Sequence, residues 1–137
     1  MPILNDATTD FESPPALTQA EKLMPGKDWS VRKPYPGLSP LYLPLPPDQV
    51  FSRAVELARR FPRWELVRVD LAARIFEGVA TTRFFRFKDD FAVRVAPEDQ
   101  GARVDMRSKS RVGQGDLGAN GARIRKFFEQ LRLGSPT

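Results

Sequence analysis

The sequence predicts an α+β domain: an antiparallel, curved sheet of about four to five strands, an N-terminal helix and a long C-terminal helix. Three observations point there. Ten of the 13 prolines lie within residues 1–47, and a residue that fixes φ and lacks a donor excludes long helices and central strands from that third. Residues 64–108 break into short alternating or β-branched runs divided by turn residues, the pattern of half-buried strands. Helical spacing occurs just before those runs and just after them, so the strands join as a meander and not as βαβ units.

Residues 1–38 read as an extended arm and residues 39–137 as a single domain. The arm carries Ile3, Leu4, Phe11, Leu17, Leu23, Trp29, Tyr35 and Leu38. That is too much apolar surface for a free tail, so the arm is expected to wrap the domain or pack on a partner. Leu41–Leu45 resembles a short edge strand, and Pro46-Pro47-Asp48 marks a helix entry, since proline suits the first turn. Val50, Ala54, Leu57, Ala58 and Phe61 recur at helical spacing, giving a helix over 47–60 that Pro62 stops. Strands follow at 64–69 and 73–80, joined near Asp70, then at 91–95 and 102–108. The piece 83–88, RFFRFK, reads as strand or loop, with its phenylalanines expected in the core. Asp89-Asp90 suggests a bend or a strand start. Ile124, Phe127, Phe128 and Leu131 place a helix over about 117–131, with Asp116 as N-cap and Gly134 at its end.

The chain has 137 residues, enough for one core, with neither Cys nor His. Disulfides and thiolate chemistry are excluded, and so is the usual general base near neutral pH, which is also the commonest metal ligand. Nothing in the pattern calls for a cofactor. Between Arg103 and Arg132 eight Arg or Lys face three acids, so the whole +5 surplus lies in the C-terminal third. Such a surplus favours anionic partners or simply a solvated surface. Residues 1–15 lack a basic start followed by an apolar stretch, and no apolar run nears the roughly 20 residues that span a bilayer. The chain as written thus reads as cytoplasmic, or as envelope-associated where a membrane segment precedes it.

Gly113 to Gly118, GQGDLG, matches the dinucleotide fingerprint G-x-G-x-x-G, but the chain ends after the following helix, so the second parallel strand has no room. Two readings of the loop remain. Gly113 and Gly115 turn the chain while Gly118 and Gly121 let the helix lie close to the sheet. Alternatively the helix N-terminus takes an anion, completed by Arg107, Lys109 or Arg111, against which Asp116 would compete as a cap.

Strand alternation puts Arg103, Asp105, Arg107 and Lys109 on one face, and pairing with 91–95 brings Arg94 near Asp105. Asp89, Asp90, Arg111, Asp116, Asn120 and Arg123 are expected to gather at one end of the sheet, as surface ion pairs or as a cleft that binds an anion. Adjacent strand residues face opposite ways, so Asp89 and Asp90 make a poor catalytic dyad.

The run Asp105-Met-Arg107-Ser108-Lys-Ser110-Arg111-Val-Gly113-Gln-Gly-Asp116-Leu-Gly118-Ala-Asn120-Gly-Ala-Arg123-Ile124-Arg-Lys-Phe127 resembles the signature DVRSxSRxGxxDxGxNxxRIxxF of the domain of unknown function 1499 family. Phe87–Val95 is similar to that family's F-x-D-D-x-x-x-R-V element, and Asn5–Asp10 with Pro14-Pro15 to its N-terminal signature. Met106 stands where Val is usual and keeps the position apolar. The resemblance implies bacterial and plastid-type settings, in which many members carry an upstream membrane segment; it implies no activity. The order strand, helix, antiparallel strands, helix resembles helix-grip architecture, as in START-like lipid-binding domains and the C-type lipoprotein of the outer-membrane β-barrel assembly machine, at the level of fold alone.

Three functions follow as expectations. One is a non-catalytic binding module in which Arg94, Arg107, Arg111 and Arg123 hold an anionic small molecule or an acidic protein, with a membrane surface as a further setting. The second is a structural or assembly subunit, and the third a His-free hydrolase using Asp89 or Asp90. Nucleic acid is disfavoured because Phe84, Phe85 and Phe87 are assigned to the core.

Overall fold

Proline at the first helical position and apolar residues on one stripe produce helix Pro47–Arg60, whose Val50, Phe51, Ala54, Leu57 and Ala58 are buried. The computed structural model describes residues 5–31, 33–111 and 118–134. In chain order the elements are β1 (Asp6–Thr8), α1 (Thr18–Leu23), β2 (Leu41–Leu43), α2 (Pro47–Arg60), β3 (Trp64–Asp70), β4 (Ile75–Thr81), β5 (Lys88–Glu98), β6 (Gly101–Ser110) and α3 (Ala119–Leu133). Among the described residues all strand pairs are antiparallel. The described sheet has six strands, one more than the pattern resolves, in the order β1-β6-β5-β4-β3, with β2 also on β6. Thus β1 pairs with Arg107–Lys109 and β2 with Ala102–Val104, end to end along one edge of β6.

The two faces of the sheet differ in kind. Inward, β4, β5 and β6 present Phe76, Phe91, Val93, Val95, Val104 and Met106, all buried, against α2 and against Ile124, Phe127 and Leu131 of α3. Aromatic rings fill the space beneath α3. Phe127 lies 5.7 Å from Phe61, 5.5 Å from Trp64 and 6.4 Å from Phe76, between ring centroids. Outward, Leu17 and Ala20 of the N-terminal segment pack on Ala92 of β5.

Asp89 and Asp90 stand at the start of β5, as expected, and each carboxylate has an arginine partner that offsets its poor strand propensity. Two sequence readings are corrected. Phe84, Phe85 and Phe87 are not core: they are 81%, 77% and 49% exposed in the β4–β5 turn. Gly121 is close-packed, but against Tyr35 and not the sheet, since a Cβ there would meet the tyrosine ring at 2.5 Å. Helix α3 enters through Gly118 at φ 87° and ends at Gly134, whose N–H donates to the Gln130 carbonyl. The Asp116 cap and the Gly113 and Gly115 turn lie outside the described residues.

Candidate functional site

Strand parity divides the candidate residues between the faces of the sheet, so they form two clusters and not one. The outer cluster is built on Arg107. This residue is 3% exposed, and its guanidinium forks onto Asp6 of β1, Nε to Oδ1 at 3.1 Å and Nη2 to Oδ2 at 2.8 Å. It also donates to the carbonyls of Trp29 (2.6 Å) and Pro15 (3.4 Å). Next along the same face, Arg94 and Arg103 donate to Asp10 at 3.0 and 3.3 Å. Asp105 accepts from Arg103 Nε at 2.7 Å and from the Thr9 hydroxyl at 2.7 Å. The expected meeting of Arg94 and Asp105 occurs, at 3.7 Å, because they are register partners. Arg111 forks onto Asp90 at 2.9 and 3.0 Å.

The electrostatics follow from these pairings. Hydrogen bonds to Asp105 and Asp90 raise the Arg103 and Arg111 pKa values, respectively, against the opposing effect of burial. Burial lowers the Lys109 ammonium below its ordinary value; Asp6, at 3.6 Å, opposes this, while Lys27 and Arg107 add to it.

A second arm of the outer cluster gathers on Glu77 of β4, 2% exposed. It accepts from Arg68 at 2.9 Å, from the Gln19 amide at 2.9 Å and from the Thr18 hydroxyl. Nearly every polar group here ties residues 5–30 to the sheet. The outer motif arginines are therefore engaged within the chain, each with a carboxylate.

The inner cluster lies where β5 and β6 meet the start of α3. Ser108 donates to Asn120 Oδ1 at 2.6 Å, and Asn120 Nδ2 donates to Ser110 at 2.9 Å. Arg123 Nη1 reaches Ser108 and Asn120 at 3.0 Å and Asp89 at 2.9 Å. Ser108 and Asn120 are fully buried. Asp89 thus serves Arg123 inside while Asp90 serves Arg111 outside; the two do not converge on a shared atom. Gly113 and Asp116 lie outside the described residues.

Beside the inner cluster runs a shallow groove of about 360 Å³, walled by Phe61 and Trp64 and bearing Arg63, Arg83, Arg123 and Lys126. Among the described residues no carboxylate lines it, although Arg123 is itself paired with Asp89 at 2.9 Å. Its other three cations, Arg63, Arg83 and Lys126, contrast with the outer-face arginines, which meet carboxylates directly.

Sequence reading missed Asp6, Asp10, Thr9, Arg68 and Glu77. One signal was available: Arg94, Arg103, Arg107 and Lys109 outnumber the neighbouring acids of their face, Asp90 and Asp105, so other carboxylates had to arrive, and Asp6 and Asp10 are the acids of the arm's first ten residues. The groove left no such trace, since its cations come from separate elements.

A curved antiparallel sheet packed around a C-terminal helix defines a helix-grip fold. It is shared with the structure titled "Crystal structure of Ara h 8.0201" at a TM-score of 0.50 and 12% identity, over 69% of this chain and 92% of that one. The crystal structure of TTHA0849 from Thermus thermophilus is similar at a TM-score of 0.35 and 15% identity, over 69% of this chain and 86% of that one. No curated protein matches the chain. The family profile described as "Protein of unknown function (DUF1499)" matches residues 6–131. The chain belongs to that family; among the described residues Arg94 and Arg107 fasten the N-terminal segment to the sheet through Asp10 and Asp6, and Asp89 and Ser108 fasten the start of α3 through Arg123 and Asn120. No described helix is long and apolar enough to cross a membrane.

Proposed function

We propose that the protein is a non-catalytic binding module for a small anionic ligand, held in the groove of Arg63, Arg83, Arg123 and Lys126, while the outer signature arginines serve the fold. The observation that carries this reading is a contrast in charge pairing: among the described residues no carboxylate lines the groove, and of its four cations Arg123 is paired with Asp89, whereas each outer-face arginine of the motif meets a carboxylate. A fixed cluster of like charge beside low-dielectric walls concentrates counter-ions. A volume of about 360 Å³ sits at the small end of the roughly 300–1,000 Å³ common for ligand sites. Rings under α3 occupy the interior, which favours a surface site over an enclosed one.

Inorganic pyrophosphate, titrated at low salt and followed by amide chemical shifts, tests the reading. Shifts are expected at Thr81–Arg83 and Ala119–Lys126, weakening as salt rises. Arg63→Glu with Lys126→Glu is expected to weaken binding by about tenfold or more. Arg111→Ala is expected to lower stability and leave binding unchanged. Shifts scattered over the whole surface, or binding that Arg111→Ala weakens as much as the groove variant does, would remove the groove as the site.

A further inference from the structure

We infer that the β4–β5 turn is an interfacial anchor for anionic phospholipid bilayers, a site that shares Arg83 with the groove but is built on Phe84, Phe85 and Phe87, which the groove does not use. The turn is locked at its base, where the Thr82 amide donates to the Phe87 carbonyl at 2.8 Å and the Phe87 amide donates to the Thr82 hydroxyl at 2.8 Å. Arg83, Phe84, Phe85 and Arg86 form its tip, with Arg86 in the left-handed region at φ 58°. A fastened loop therefore holds Phe84, Phe85 and Phe87 out at 81%, 77% and 49% exposure. A chain that buries Phe76, Phe91 and Phe127 completely has the means to cover apolar rings, so a cluster left in water marks a contact surface.

Charge selects the occupant. From Thr82 to Lys88 the turn carries Arg83, Arg86 and Lys88 and no acid. The nearest carboxylates in the chain, Asp89 and Asp90, are buried and bound to Arg123 and Arg111. Exposed Phe interleaved with cations suits the acyl–headgroup boundary of an anionic leaflet, where rings enter the boundary and Arg and Lys meet phosphate. Base stacking on nucleic acid fits less well, because it needs open ring faces. Phe85 and Phe87 stack on each other, with centroids 5.6 Å apart at 18°, and the Arg83 guanidinium lies 5.4 Å from the Phe84 centroid. One face of each of these rings is thus already engaged.

Co-sedimentation of the full chain with vesicles of phosphatidylcholine alone, or of phosphatidylcholine with phosphatidylglycerol, tests the anchor. Binding to the anionic vesicles is expected to exceed binding to neutral ones by at least about tenfold. Phe84→Ser with Phe85→Ser is expected to reduce it by about tenfold or more at an unchanged melting temperature. Should that variant melt early, Arg86→Glu with Lys88→Glu, which leaves the rings and the groove's cations in place, is expected to reduce binding by about tenfold. Absence of vesicle binding, binding that neither variant lowers, or capture of a single-stranded RNA oligonucleotide in place of vesicles overturns the anchor.

Discussion

Asp6→Ala is expected to lower the free energy of unfolding by about 3–5 kcal/mol, because it strands a buried cation. Arg107 is 3% exposed and takes its charge balance from Asp6. An arginine cannot escape by losing its proton, and the neutral carbonyls of Pro15 and Trp29 do not replace a carboxylate. Arg107→Ala is expected to cost less, since Asp6 keeps Lys109 at 3.6 Å and a carboxyl can protonate. Denaturant unfolding of both variants measures the two costs. A surface pair contributes roughly 0–1 kcal/mol; an Asp6→Ala cost in that range would mean that Arg107 does not hold the N-terminal segment.

Phe127→Ala is expected to cost about 3–5 kcal/mol, through lost apolar burial and the cavity left among neighbouring rings. The side chain is fully buried, and Phe61, Trp64 and Phe76 surround it at 5.7, 5.5 and 6.4 Å. The result bears on function. A curved sheet gripping a helix can enclose a ligand or fill itself with side chains, and truncation separates the cases. If the space under α3 were roomy, losing one ring would cost under about 1 kcal/mol, and the binding site would have to be sought inside and not in the surface groove.

The legible parts of the fold were those where one physical signal dominated. Helix α2 was read to its first and last residue because a proline entry, a clean apolar stripe and Pro62 coincide. The pairing of β5 with β6 put Arg94 opposite Asp105 as alternation requires. Strand β1 was not legible: Asp-Ala-Thr has no apolar alternation, and its strand state comes from the open edge of β6. The phenylalanines of 83–88 misled because hydrophobicity says nothing of a turn whose base is closed by Thr82. The candidate residues included the counter-charges Asp89, Asp90 and Asp105 of the sheet's own strands but not those from elsewhere in the chain. Asp6, Asp10 and Glu77 lie far from the motif in sequence, and only the fold brings them to it. Arg63, Arg83 and Lys126, from different parts of the chain, meet at the groove for the same reason.

Amide hydrogen exchange by NMR on the unmodified protein tests most directly whether the signature arginines clamp the N-terminal segment to the sheet. The Thr9 amide donates to the Met106 carbonyl at 3.0 Å and the Ser110 amide to the Asn5 carbonyl at 2.8 Å. Both are expected to exchange only through openings about as costly as those of the central strand β5. Exchange of both at near-unstructured rates, with β5 still protected, would contradict the clamp.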